Sequence, residues 1–255
     1  MQLETVNYEK KEGIIIISLN RPKVLNALNR QIWADLLVAM RAAEADTEAK
    51  VVILRGEGRA FSAGADLSEE FPEEIHWEHW PDTHQEVTRV MVRMPKVIIA
   101  AVQGYAIGAG MELAEGADIR IVAEGTKFGS TETNVGDEIS NAGTKLLTYY
   151  IGLGRAKEFY FTNEFMDAKQ AYEYGLANKV VPLEELDKAA MEMAKKISGN
   201  SALSLMLNKA AVNRALSMSI EETLTMESRN MQVLIGSPEQ KQRTKEAMGR
   251  LRTKK

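Results

Sequence analysis

Pro95-Lys-Val-Ile-Ile-Ala-Ala-Val-Gln-Gly104, continuing as Gly104-Tyr-Ala-Ile-Gly-Ala-Gly-Met-Glu-Leu-Ala114, is the stretch whose pattern decides the fold. Lys96 to Val102 is short, β-branched and apolar, the signature of a buried strand. Gly104, Gly108 and Gly110 punctuate the turn, and Met111 to Gly116 reads as helix. A strand that turns through glycines into a helix leaves the first helical N–H groups without intrahelical partners. Together with the helix dipole they favour a developing negative charge.

The same rhythm extends in both directions. Gly13-Ile-Ile-Ile-Ile-Ser-Leu19 is a buried strand that ends at Asn20-Arg-Pro22. Asn29 stands where a helix cap belongs, before Ile32, Trp33, Leu36, Leu37 and Met40 at helical spacing. Lys50-Val-Val-Ile-Leu-Arg55 is the next strand, a helix is predicted around Gln85 to Met94, and Asp118 to Ala123 is strand again. Strand and helix alternating in this way predict an α/β fold with largely parallel pairing. From Leu183 onward the periodicity is helical, broken at Gly199-Asn200 and Gly236-Ser-Pro238. The division expected is an α/β core over residues 1–195 and a C-terminal helical region over 196–255.

Composition narrows the function. The 255 residues are 45% apolar and 27% charged, the make-up of a globular domain with a substantial core. A net charge of −4 argues against a nucleic-acid partner. The chain has no cysteine, so disulfides, thiol nucleophiles and thiolate metal sites are excluded. Its longest apolar stretch, Val97 to Ala114, is interrupted by Gln103, Glu112 and glycine turns, which predicts no membrane span. The beginning, Met1-Gln-Leu-Glu-Thr5, lacks the pattern of a secretory signal, and the setting expected is cytoplasmic.

Two glutamates mark the candidate chemistry. Glu112 follows the Gly104–Gly110 turn, and Glu132 lies in Phe128-Gly-Ser-Thr-Glu-Thr-Asn-Val-Gly136. Paired carboxylates facing one small volume are suited to moving a proton on and off carbon or water. The plainer alternative gives Glu112 to helix-end packing and Glu132 to a solvated loop. Arg59-Ala-Phe-Ser-Ala-Gly-Ala-Asp-Leu67 follows a strand, and its small residues leave backbone N–H groups exposed to a ligand. Asp66 is expected to cap a helical turn. Two such N–H groups brought together make an oxyanion hole. No Gly-x-Ser-x-Gly elbow is present, so acyl-enzyme hydrolysis finds little support.

These segments, with Arg21-Pro-Lys-Val-Leu-Asn-Ala27 and Asp167 to Val181, resemble the crotonase superfamily, also called the enoyl-CoA hydratase/isomerase family, in order and spacing. The resemblance implies a crotonase-like spiral of ββα units, a helical C-terminal trimerisation region, and homotrimers or dimers of trimers. It implies hydration of a 2-enoyl-CoA thioester, the coenzyme A being part of the substrate and no separate cofactor or metal being required. By position, the Ala63 and Ala109 amides would form the oxyanion hole. Lys23, Val24, Ala65, Asp66 and Leu67 would line the CoA entry, with Gly110 at the substrate. Glu112 would deprotonate water for attack at C3, and Glu132 would protonate C2.

Three features depart from the family pattern. Gly108-Ala109-Gly110 stands where many members have three consecutive glycines; the Ala109 N–H can still donate, but its methyl narrows the site. Ile139-Ser-Asn-Ala-Gly-Thr144 replaces the Pro-Gly-Ala-Gly-Gly-Thr run of many hydratases, and with Asp137 and Glu138 brings polarity toward the acyl pocket. Phe71 to His84 holds all three histidines, His76, His79 and His84, and two of the three tryptophans, Trp77 and Trp80. That segment reads as a surface helix or a lid; His76 and His79 match no strong metal-ligand spacing. The methionines at 191, 193, 206, 218, 226 and 231 are expected in packing. The alternatives kept open are a crotonase-fold isomerase, a hydrolase of another CoA ester or β-diketone, and an acyl-CoA-binding subunit without catalysis.

Overall fold

The structure is a computed structural model that describes residues 3–69 and 80–252. His76, His79 and Trp77 lie outside the described residues. Two compact units emerge, Met1–Ser198 and Gly199–Lys255.

The first unit is built on a six-stranded sheet. Its strands are β1 (Val6–Lys11), β2 (Ile14–Leu19), β3 (Val51–Gly56), β4 (Val97–Val102), β6 (Ile119–Ala123) and β9 (Lys179–Val181), in the order β1-β2-β3-β4-β6-β9. β1 pairs antiparallel with β2, and every later pairing is parallel. A second sheet holds β5 (Tyr105–Ile107), β7 (Lys127–Gly129) and β8 (Met166–Asp167) in the order β5-β7-β8. Among them run helices α1 (Arg30–Ala45), α2 (Trp80–Arg93), α3 (Ala109–Glu115), α4 (Glu132–Val135), α5 (Gly143–Ile151), α6 (Leu153–Thr162), α7 (Ala168–Tyr174) and α8 (Leu186–Ser198). This is the α/β fold that the sequence pattern predicts, in the spiral of ββα units that the resemblance implies.

The unbroken apolar runs follow from burial on both faces of the main sheet. Ile15, Ile17, Val52, Leu54 and Ile98 share a core with α1, through Ile32, Leu36 and Met40. Ile14, Ile16, Val51, Ile53 and Ile99 face the other way, against Leu186, Ala189, Ala190 and Ala194 of α8. The Asn29 carboxamide caps α1 by accepting the Ile32 N–H at 3.0 Å.

The junction after β4 differs from the simple strand-to-helix turn expected. The chain first leaves the main sheet at Gly104, pairs β5 with β7, and only then enters α3. Gly104 makes the transfer possible: its φ is +64°, and a β-carbon there would lie 2.0 Å from the Arg59 carbonyl oxygen. The residue after β5 meets a similar constraint. Gly108 has φ +51°, and a β-carbon would lie 2.7 Å from Glu132 Oε1.

The second unit comprises α9 (Ala202–Ala215), α10 (Ile220–Leu234) and α11 (Pro238–Arg252). Ser219 and Glu222 form a capping box at the start of α10. The Arg243 guanidinium donates to the Gly199 carbonyl at 3.0 Å. Val212, Leu216, Ile220, Leu224, Val233 and Ile235 are exposed within the chain.

Gly104→Ala should lower Tm by roughly 5–15 °C, because it adds both backbone strain and a clash with backbone at a single atom. Gly154→Ala, in α6 with open space where a β-carbon would go, should leave Tm unchanged or raise it. Differential scanning calorimetry of the two variants checks this contrast.

Candidate active site

One pocket collects residues from five separate segments: Leu28 and Trp33, residues 63–67 and 69, His84, residues 107–109 with Glu112, and residues 131–140 in part. Glu112 and Glu132 both line it. The sequence separates them, and the β5–β7 pairing brings their segments together.

The two carboxyls have different surroundings. Glu112 is 5% exposed, and its Oε1 accepts the Asn141 N–H at 2.7 Å and the Gly143 N–H at 3.0 Å. Burial pushes its pKa up to about 7; the backbone N–H groups oppose the rise and the nearby Glu132 charge adds to it. Gly143 is needed here, since a β-carbon would lie 2.9 Å from Glu112 Oε1. Glu132 is half-buried at the first position of α4, and its Oε2 accepts the Ser130 hydroxyl at 2.5 Å. One carboxyl is therefore held dry by backbone amides, and the other faces the opening on a hydroxyl.

The amides of the 62–66 segment alternate in direction, as an extended chain requires. Ser62 pairs with Ala106 on one side, donating to Tyr105 O at 2.9 Å and accepting from Ile107 N at 3.1 Å. Ala63 donates its N–H to the Leu25 carbonyl at 2.9 Å. Gly64 and Asp66 pair with Leu28 through the Gly64 carbonyl and the Asp66 N–H. The Ala65 N–H points away from Leu28, and among the described residues it has no partner. This corrects the assignment of Ala63 as an oxyanion donor: the Ala63 amide is engaged with Leu25, and the available N–H belongs to Ala65. Ala109, the first residue of α3, has no intrahelical acceptor for its N–H and no other partner among the described residues. Ala65 and Ala109 both line the pocket.

The remaining candidates divide. Asp66 and Leu67 line the pocket with Ala65. Asp66 caps no helix; it accepts the Ser68 hydroxyl at 2.6 Å, pairs with Arg21 at 2.8 Å and accepts the Ser68 N–H at 3.1 Å, and these partners hold its carboxyl below the usual range. Lys23 and Val24 are exposed on a turn of 3-10 helix, outside the residues that line the pocket. Gly110 also stays out of the lining. It is buried against Ser62, where a β-carbon would lie 2.7 Å from the Ser62 hydroxyl oxygen.

A clamp that the sequence did not reveal connects α2 to the loop carrying Asn141. The Gln85 amide donates to the Ser140 carbonyl at 2.8 Å, and the Thr88 hydroxyl donates to the Asn141 carboxamide oxygen at 2.5 Å. The His84 ring lies 3.3 Å from the Ser140 hydroxyl and packs on Trp33 with centroids 5.7 Å apart. Positions 84, 85 and 88 share one helical face, the periodic signal in the sequence that could have shown it. Glu115, one helical turn after Glu112, is the other side chain missed. It is fully buried, and burial pushes its pKa well above the usual carboxyl value.

The chain is similar to known proteins along nearly its whole length. A sequence model of the family described as enoyl-CoA hydratase/isomerase matches residues 9–252. The chain is 37% identical over 230 residues to a short-chain-enoyl-CoA hydratase of Clostridium acetobutylicum, covering 89% of this chain and 88% of that protein. It is 33% identical to a crotonyl-CoA hydratase of Syntrophomonas wolfei, covering 95% of this chain and 94% of the other. The crystal structure of an enoyl-CoA hydratase from Mycobacterium smegmatis superposes with a TM-score of 0.91 at 28% identity, over 97% of both chains. With a family match across nearly its whole length, the chain belongs to the enoyl-CoA hydratase/isomerase family.

Proposed function

We propose that this chain is an enoyl-CoA hydratase that adds water across the C2=C3 bond of a short 2-enoyl-CoA thioester. The observation that carries the reading is the pocket itself: two amides without partners among the described residues and two carboxyls in unlike surroundings line one cavity. The names of the relatives from Clostridium acetobutylicum and Syntrophomonas wolfei support the same reaction and a short acyl group.

The steps follow from the chemistry of a conjugated thioester. The Ala65 and Ala109 N–H groups hold the thioester oxygen and stabilise the negative charge that collects there when water attacks. Glu112, ionised, takes a proton from that water as its oxygen bonds to C3. Glu132 then delivers a proton to C2 and the enolate collapses to the 3-hydroxyacyl thioester. Glu112 suits the base role because its carboxyl titrates near neutrality, at about 7. Asp66 and Leu67 flank the CoA entry, with Lys23 and Val24 further out on the surface. Coenzyme A enters as part of the substrate, and no separate cofactor is part of this proposal. A homotrimer or pair of trimers in the cytoplasm completes it; the exposed apolar side chains of the C-terminal unit support self-association. Residues 1–195 would then carry the chemistry and 196–255 the assembly.

Loss of crotonyl-CoA absorbance tests the reaction directly. Glu112→Gln and Glu132→Gln should each lower kcat by about 10²- to 10⁴-fold. For the wild type, kcat/KM should rise with pH through about 7, as the free Glu112 carboxyl gives up its proton. Full activity in Glu132→Gln would overturn the assignment.

Thr88→Val should loosen the loop that holds Glu112. Weaker N–H bonds to the carboxylate favour its protonated form, so the acid limb of the profile should move to higher pH by several tenths of a unit. Thr88→Ser, which keeps the hydroxyl, should restore the wild-type limb.

A further inference from the structure

The two carboxyl oxygens of Glu132 occupy unlike positions, and the difference begins in the smaller sheet. At the end of the β5–β7 pairing the Gly108 N–H donates to the Gly129 carbonyl at 2.8 Å. That bond sets the chain from Ser130 to Glu132 beside Gly108 and Ala109. Ser130 is only 5% exposed, and its hydroxyl donates to Glu132 Oε2 at 2.5 Å. Oε1 instead lies over Gly108, where a β-carbon would be 2.7 Å from it. Among the described residues Oε1 has no hydrogen-bond donor. Ser130 stays out of the pocket lining, whereas Glu132 and Gly108 both belong to it.

The backbone that carries Glu132 is fixed as well. Its carbonyl accepts the Asp137 N–H at 2.9 Å, and the Thr133 hydroxyl ties α4 to Asn163 at 2.8 Å. With the main chain held, the hydroxyl of Ser130 decides how the two oxygens divide their work. A protonated carboxyl has one hydroxyl oxygen and one carbonyl oxygen. A hydroxyl that donates to Oε2 makes Oε2 the carbonyl, which leaves the acid's proton on Oε1. The same bond persists after ionisation, because Oε2 accepts in both states and accepts more strongly as part of a carboxylate.

We propose that Ser130 is a positioning residue, which holds Glu132 so that Oε1 carries the proton delivered to C2. The inference rests on the hydratase reading and deepens it. Gly108, beneath Oε1, directly precedes Ala109, whose N–H holds the thioester oxygen in that reading. C2 is bonded to the thioester carbon, so the oxygen nearest Ala109 is the one placed for it. In the step, the O–H bond on Oε1 breaks and the enolate C1=C2 pair forms the new C2–H bond. A lone pair on the thioester oxygen rebuilds the carbonyl, and the negative charge passes to the Glu132 carboxylate. Without the Ser130 hydroxyl, the carboxyl turns about its last bond and the proton is shared between both oxygens.

Proton exchange at C2 isolates this role from hydration. Butanoyl-CoA in D2O has no double bond to hydrate, and NMR follows the loss of its C2 protons as Glu132 removes and returns them. Ser130→Ala should slow this exchange, and kcat for crotonyl-CoA, by about ten- to a hundredfold each, with KM changed less than about twofold. Ser130→Thr, which keeps the hydroxyl, should recover most of both rates, and Ser130→Cys, a weaker donor in a similar volume, should fall between. Wild-type exchange and hydration in Ser130→Ala would overturn the inference, as would a loss confined to KM or no recovery in either conservative variant. A wild type that exchanges C2 protons in a Ser130-dependent way yet leaves crotonyl-CoA unhydrated would overturn the hydratase reading and leave the positioning role standing.

Discussion

Two N–H···O bonds, from Asn141 and Gly143 to the buried carboxyl of Glu112, are the contacts on which the geometry of the site depends. A carboxylate removed from water without such donors would stay protonated and useless as a base. The donors come from a loop with an unusual backbone: Ala142, between them, has φ +68°, where a β-carbon is strained. Something must hold that loop against relaxation, and α2 does so through Gln85 and Thr88. The chain thus supports its base from outside the sheet, through polar side chains of α2.

The architecture was legible because it follows from local chemistry. The isoleucine run Ile14–Ile17 fits only a strand covered on both faces, and the glycines at 104 and 108 fit only turns at positive φ. Glu112 and Glu132 stood out through their glycine context. The Ala63 assignment failed for a reason that residue types do not record. Alanines at 63 and 65 differ only in which way their N–H groups point, and that is set by where Leu25 and Leu28 pass. The clamp was hidden similarly, since Thr88 and Asn141 acquire meaning only once α2 lies beside the loop before α5. Glu115 was overlooked because a glutamate in a helix ordinarily faces water.

Glu115 also explains how a third carboxyl can sit next to the pair without disabling it. Fully buried, with its Oε2 lacking a partner among the described residues, it is pushed by burial toward the protonated, uncharged form. The Arg120 guanidinium nearby is satisfied by carbonyls at the end of α3 and before α7's successor strand, donating to Ala117 O and Leu176 O at 2.6 Å each. A neutral Glu115 therefore adds no repulsion to Glu112. Had it ionised, two buried anions on one helical face would push Glu112 toward protonation and away from the base role.

Activity and stability then oppose each other at one carboxyl. Glu112 has its pKa raised from 4.5 to about 7, so the stability tied to its protonated form is fully present below the ordinary carboxyl value. That stability is lost as pH rises through about 7, the window in which the group becomes a competent base. The rise corresponds to roughly 3 kcal/mol at alkaline pH, a sizeable share of the stability of a typical domain. The buried sheet and its two apolar cores supply the margin that makes an ionised Glu112 tolerable. The carboxyl can serve as a base because the fold can bear its charge.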